Sequence, residues 1–413
     1  MRAPPARIGM CWPKSTRARS SCCRHQGAPS MTKDSILANV RRLLPELAAA
    51  PDLEAGHTLP AWVVARLKEA GCFRMCMPRS WGGPELTTLE QLEIIEALAS
   101  VSASVAWCVM IGCDSGLYSG YLEDGAAREL YGSLDAVQAG WVYPGGRAIE
   151  TDGGYKVTGR WIFGSGIKHA DVIGAGCLIY EHGSPRLDEG RPEWIVVLGK
   201  QGDFEIEDNW DTTGLHGTGS HNYHVKGGFF PRAHSFSFRQ PAQRAGLLWQ
   251  RNDTFLRKMA AVPLGVCRSA LDFTHGYLKE RQDFNTRTPL RNSPIVQHKL
   301  AECEMKHNAA RAYLYRTLER QWQCLENGEV PDERLRADVW LSRVSAFRTS
   351  REVILALYDL VGGPAIRRGE TPIERAMRDS LTWCQHLVGK ESGYEAVGNL
   401  LLNGNVAEGF PML

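Results

Sequence analysis

Four stretches of this chain carry residue types that can do chemistry. The run from Gly153 to Gly166 reads as a turn, then a strand, then Gly164-Ser165-Gly166. A serine flanked by glycines can turn both its hydroxyl and its backbone toward a ligand. Arg281-Gln282-Asp283-Phe284 ends a helical stretch, and the planar fork of an arginine suits a phosphate held in two hydrogen bonds. Gly362-Gly363-Pro364 lies between two helical stretches, where glycines let the backbone come close to a cofactor. Finally, Arg378-Asp379 is followed by Gln385-His386-Leu387, and an imidazole there can orient or deprotonate an acidic hydroxyl. Taken alone, the last three read better as ordinary structure (a solvated helix end, an interhelical turn, a packed histidine), and the serine has a turn serine as its rival reading.

Other chemistries find little support. His221-x-x-His224 has no clustered third ligand, so no metal site is expected. Gly174-Ala175-Gly176 lacks the third glycine and following helix of a dinucleotide fingerprint. There is no nucleophile elbow and no phosphate-binding P-loop. The 12 cysteines are scattered without C-x-x-C pairs, which favours reduced thiols and a cytoplasmic protein. No apolar run is long enough to span a bilayer. The net charge of +2 hides an asymmetry, because residues 1–30 hold Arg2, Arg7, Lys14, Arg17, Arg19 and Arg24 and no acid, leaving the rest at −4. This basic leader resembles a transit peptide in composition. It has no amphipathic pattern and contains Pro4, Pro5, Pro13 and Pro29, which favours upstream sequence translated from too early a start, with Met31 the true one. No basic stripe with interleaved aromatics follows, so nucleic acid is not an expected partner.

The elements that must position these residues follow from periodicity. Between residues 31 and 136 apolar positions recur every three to four residues, as at Ile36, Val40, Leu43, Leu44 and Leu47, so helices are expected over Ser35–Leu47, Leu59–Ala70, Thr87–Leu98 and Ser102–Cys113. From 137 to 239 the period falls to two, with Gly-rich turns, which predicts a compact all-β domain. From 240 to 413 the helical period returns in long segments over Asn252–Arg281, Ile295–Asn327, Pro331–Leu360 and Ile373–Leu402, an antiparallel bundle.

The order helices, β domain, helical bundle resembles the acyl-CoA dehydrogenase superfamily from Met31 onward, and the four motifs stand where that resemblance needs them. It implies an α+β fold: an N-terminal helical domain, a middle β-barrel domain and a C-terminal four-helix bundle. Tyr277 through Arg281 to Phe284, Pro289-Leu290 and Gln297 resemble the stretch whose arginine reaches the flavin of a neighbouring subunit. Here the glutamine comes one position early as Gln282, Asp283 takes its place, and Asn285 stands where glycine is usual. Gly362 and Gly363 resemble the adenine-side loop. Trp141-Val142-Tyr143-Pro144-Gly145-Gly146 occupies the place of a flavin loop but lacks its Thr-Glu pair, leaving backbone contact and an aromatic wall.

One position selects the branch. The dehydrogenases carry a glutamate base about eight residues after the Arg-Asp pair, and this chain has His386 there. Trp161-Ile162-Phe163-Gly164-Ser165-Gly166 is similar to the Trp-x-Phe-x-Ser-Gly run of the two-component, group D flavin-dependent monooxygenases. That resemblance implies flavin contacts from Trp141, Trp161, Phe163, Ser165, Arg281, Gly362 and Gly363. It implies catalytic roles for Ser165, which would guard N5 of a C4a-hydroperoxyflavin, and His386, which would act on the substrate. The cofactor implied is reduced flavin (FMNH2 or FADH2) with O2 as co-substrate. The substrate would be an organic, aromatic small molecule to be hydroxylated. The partners implied are a separate NAD(P)H:flavin reductase and three further copies in a homotetramer. The competing expectations are a dehydrogenase or oxidase acting on a thioester or nitro compound, and a flavin-free helper or inactive paralogue.

Overall fold

The computed structural model describes residues 31–50 and 52–404; the expectation for the leader lies outside them. Six helices come first: α1 (Lys33–Ala49), α2 (Ala61–Ala70), α3 (Thr88–Ala99), α4 (Ala103–Gly112), α5 (Ser115–Ser119) and α6 (Asp124–Tyr131). Local chemistry sets their ends. Thr87 and Glu90 form a reciprocal capping box that opens α3. Gly71 closes α2 with a φ of 85°, a left-handed conformation that costs a Cβ-bearing residue energy. Helix α4 is nearly all buried.

The chain then forms β1 (Gln138–Thr151), β2 (Gly154–Gly164), β3 (Val172–Glu181), the two-residue β4 (Ser184–Pro185), β5 (Leu187–Asp188) and β6 (Arg191–Pro192), β7 (Trp194–Lys200), β8 (Glu205–Ile206), β9 (His221–Pro231) and β10 (Ser235–Phe236). The main sheet runs β10-β7-β3-β1-β2-β9-β8, with β4 on β3 and β1 parallel to β3. A barrel was expected, but the pairing is an open path, and among the described residues no ladder joins β10 to β8. Both edge strands are only two residues long, which limits what they can pair with. Trp141–Gly146, expected as a loop, lies inside β1, where two register shifts bend the strand against β3.

The remaining helices are α7 (Thr254–Arg257), α8 (Ala261–Glu280), α9 (Pro294–Glu326), α10 (Glu333–Val361), α11 (Pro372–Trp383) and α12 (Ser392–Asn403). Helix α10 packs against α8, α9, α11 and α12, while α3 and α4 pack against α8, so one apolar core joins the first and last helical parts. The expected single helix over Ile373–Leu402 is broken after Trp383. Gly389 explains part of the break: a Cβ there would meet Phe347 at 2.7 Å and the Trp383 carbonyl at 3.1 Å, so the chain turns tightly against α10. No described helix is long and apolar enough to cross a membrane.

Candidate active site

Strand β2 alternates until its last turn. Trp161 points inward at 1% exposure, and its indole N–H donates to the Gly176 carbonyl at 2.7 Å while its ring stacks on Tyr223. A residue so enclosed cannot line a ligand, so the expectation that Trp161 contacts flavin is corrected: it supports the sheet from beneath. The β2–β9 register then slips between Trp161 and Gly164. Phe163 sits in that slip at a φ of 61°, and the left-handed backbone turns its ring outward, 49% exposed. Trp141 and Trp210 flank it edge-on, with ring centroids at 6.0 and 6.2 Å. The Trp141 N–H donates to the Tyr223 hydroxyl at 2.6 Å, and that hydroxyl donates to the Gly174 carbonyl. A half-exposed phenylalanine held in a costly conformation between two tryptophans offers an aromatic face to solvent.

Ser165 follows this face and is buried. Its Oγ accepts the indole N–H of Trp107, from α4, at 3.1 Å and lies 2.8 Å from Ser220 Oγ. Ser220 Oγ is 2.7 Å from Thr218 Oγ1, which donates to the Leu215 carbonyl at 2.8 Å. The Arg-Asp pair of α11 pins this loop. Asp379 accepts the Leu215 N–H at 2.7 Å, and Arg378, paired with Glu374, donates to the Thr213 carbonyl. Burial, with the neighbouring Glu54 second, pushes the Asp379 carboxyl up to about 7.

His386 reaches the same place from the other side. Its ring meets Trp107 edge-on at 5.6 Å, so one tryptophan touches both expected catalytic residues. The break after Trp383 matters here, because His386 is the cap of the short turn Leu387–Gly389 rather than a residue within a helix. Its Nδ1 accepts the Val388 N–H at 3.4 Å. Desolvation, helped by Lys390, lowers the imidazole to about 4, so at neutral pH it is uncharged, with its proton on Nε2. Glu391 and Glu395, the carboxylates that follow it along the chain, are both exposed, and Glu391 pairs with Arg348.

The other expected flavin contacts stand apart from this cluster. Arg281 is exposed and lies over the Tyr277 ring at 4.9 Å. Gly362, at a φ of 69°, and Gly363 both have open space where a Cβ would be. Neither makes a described contact with Ser165 or His386. No local pattern pointed to Trp210, Thr218 or Ser220. The one available signal was Trp107, the only aromatic ring in the apolar helix α4.

The residues present fit a flavin. The aromatic face offers contact for the ring system, and Ser165 retains a lone pair for an N–H. Two family models match: the acyl-CoA dehydrogenase N-terminal domain over residues 30–129 and the acyl-CoA dehydrogenase C-terminal domain over residues 258–391. The indole-3-acetate monooxygenase of Pseudomonas putida is 29% identical over 361 residues, covering 84% of this chain and 88% of that protein. The flavin-dependent monooxygenase oxygenase subunit HsaA of Mycobacterium tuberculosis is 28% identical, covering 88% and 94%. The crystal structure of that HsaA monooxygenase superposes with a TM-score of 0.83, over 93% of this chain and all of the other. The chain belongs to the acyl-CoA dehydrogenase family and, within it, is a flavin-dependent monooxygenase.

Proposed function

We propose that the chain is the oxygenase component of a two-component system, taking reduced flavin from a separate NAD(P)H:flavin reductase and hydroxylating a phenol- or indole-like substrate. The observation that carries this reading is the convergence of Ser165 and His386 on Trp107 beside the Trp141–Phe163–Trp210 face. Bound reduced flavin supplies the two electrons that activate O2. The division of labour among the protein groups follows from their hydrogen bonds. Phe163, Trp141 and Trp210 cover the ring system and exclude water. Ser165 accepts the N–H at flavin N5 and holds that proton in place.

His386 has a narrower role than the sequence suggested. With Nδ1 occupied by the Val388 N–H and the proton on Nε2, it is a hydrogen-bond donor to a substrate oxygen rather than a base. Arg281 is exposed on the single chain; in this reading it reaches the flavin of a neighbouring copy, in a homotetramer or at least a dimer. The substrate class is taken from the indole-3-acetate named for the P. putida relative and the resorcinol named for a Rhizobium hydroxylase, 24% identical.

The test supplies reduced flavin with a reductase and measures product from indole-3-acetate and simple phenols. Hydroxylated product is expected, whereas peroxide alone from every aromatic tried would count against the reading. An acyl-CoA thioester added to bound oxidised flavin should leave its absorbance unchanged; bleaching would favour the dehydrogenase.

A further inference from the structure

The Ser165 network has a direction that can be read off its far end. Two hydroxyl or carbonyl oxygens at 2.7–2.8 Å need a proton between them. The chain has three such gaps: Ser165 to Ser220, Ser220 to Thr218, and Thr218 to the Leu215 carbonyl. It has three hydroxyl protons to fill them. A carbonyl cannot donate, so Thr218 must donate to Leu215. Ser220 must then donate to Thr218, and Ser165 to Ser220. The Trp107 indole is a donor only and takes a lone pair of Ser165. Ser165 is left with no free proton and one free lone pair. Ser165, Ser220 and Thr218 are each at least nine-tenths buried, so water is poorly placed to supply a substitute acceptor.

We propose that Thr218 and Ser220 are positioning residues that lock Ser165 as a hydrogen-bond acceptor and so make the site select reduced over oxidised flavin. The inference rests on the reading that Ser165 faces flavin N5. Reduced flavin presents an N–H at N5, which a locked acceptor receives. Oxidised flavin presents a lone pair there, which meets the lone pair of Ser165 and can be satisfied only if the serine hydroxyl swings round to donate. The relay prevents that swing, because turning Ser165 would leave an unfilled gap at Ser220. Asp379 takes part indirectly, since its bond to the Leu215 N–H holds the carbonyl that sets the direction.

The measurement is the ratio of dissociation constants for oxidised and reduced flavin, the latter determined anaerobically, in the full chain and its variants. Thr218→Val keeps the shape and removes the hydroxyl, while Ser220→Ala removes the acceptor of the Ser165 proton. Each should lower the ratio by roughly 2- to 10-fold, the size of one neutral hydrogen bond, mostly through tighter binding of oxidised flavin. Thr218→Ser should restore the wild-type ratio. Trp107→Phe should leave the ratio within 2-fold or so, because the direction is set at the other end. In a Ser165→Ala background, Thr218→Val should have no further effect. If Ser165→Ala leaves the ratio unchanged, the serine does not face N5 and the parent reading of Ser165 fails. If Ser165→Ala lowers it but Thr218→Val and Ser220→Ala do not, the relay is overturned while that reading stands. Should Thr218→Val not fold, the Ser220→Ala ratio alone decides between these outcomes.

Discussion

Whether His386 is a donor or a base can be decided by pH and by one conservative substitution. A base needs a free lone pair facing the substrate. The Nδ1 lone pair is taken by the Val388 N–H, and Nε2 carries the proton. Burial holds the imidazole at about 4 against an ordinary 6.5, so at pH 7 about one molecule in a thousand is charged. Removing a donor to a charged oxygen costs about 1.5–3 kcal/mol, which is a fall of roughly 10- to 150-fold in rate. Removing a general base costs roughly 10²–10⁴. The assay is a single turnover: protein loaded anaerobically with reduced flavin, mixed with oxygenated phenolic substrate, quenched and analysed for product. His386→Ala should lose roughly 10- to 150-fold and divert the difference to hydrogen peroxide. His386→Gln, whose amide N–H can stand near Nε2–H, should recover much of that loss. The rate limb assigned to His386 should be flat from about pH 5.5 to about pH 8. An ascending limb near pH 6.5 that vanishes in His386→Gln would refute the donor assignment, because only an imidazole titrating at its ordinary value and acting as a base produces it.

Three other outcomes follow from the same structure. Arg281→Ala should weaken reduced-flavin binding by about 1.5–3 kcal/mol without changing monomer folding; tight flavin binding by a monomer in light scattering would contradict the shared site. Lys258 and Asp114 form an ion pair with both side chains buried. Lys258→Met should cost about 3–5 kcal/mol in urea unfolding, with the loss growing as pH rises through about 6, because burial already pushes the Asp114 carboxyl up to about 6 even beside Lys258; recovery is expected on adding Asp114→Asn. His307 is 2% exposed and lowered to about 4, chiefly by desolvation, so it stays neutral where the unfolded chain takes up a proton. Its share of stability should be present above about pH 6.5 and fall by up to about 3 kcal/mol toward pH 4, and a stability flat over that range in wild type and His307→Gln alike would contradict it.

Period and capping are local properties, and they were legible before the fold was known. The helices over Lys33–Ala49, Ala61–Ala70, Thr88–Ala99 and Ala103–Gly112 each announce themselves by apolar spacing and by a stop or cap such as Gly71 or Thr87. The same holds for the end of β2 and for Ser165, because glycines and a serine after an alternating strand are a signal within a dozen residues. What a side chain faces is not local. Trp161 and Phe163 are two residues apart and were expected on one face, yet a register slip against β9 buries the first and exposes the second. Trp107 meets Ser165 across 58 positions, a contact with no trace in either neighbourhood. After the break at Trp383 the chain turns so closely on α10 that Gly389 abuts Phe347, and the break makes His386 a turn cap with one nitrogen already engaged. The amino-acid order thus specified the elements and the reacting groups. Packing between elements distant in the chain decided which lone pair each group keeps free, because hydrogen-bond direction is fixed by the partner at the far end.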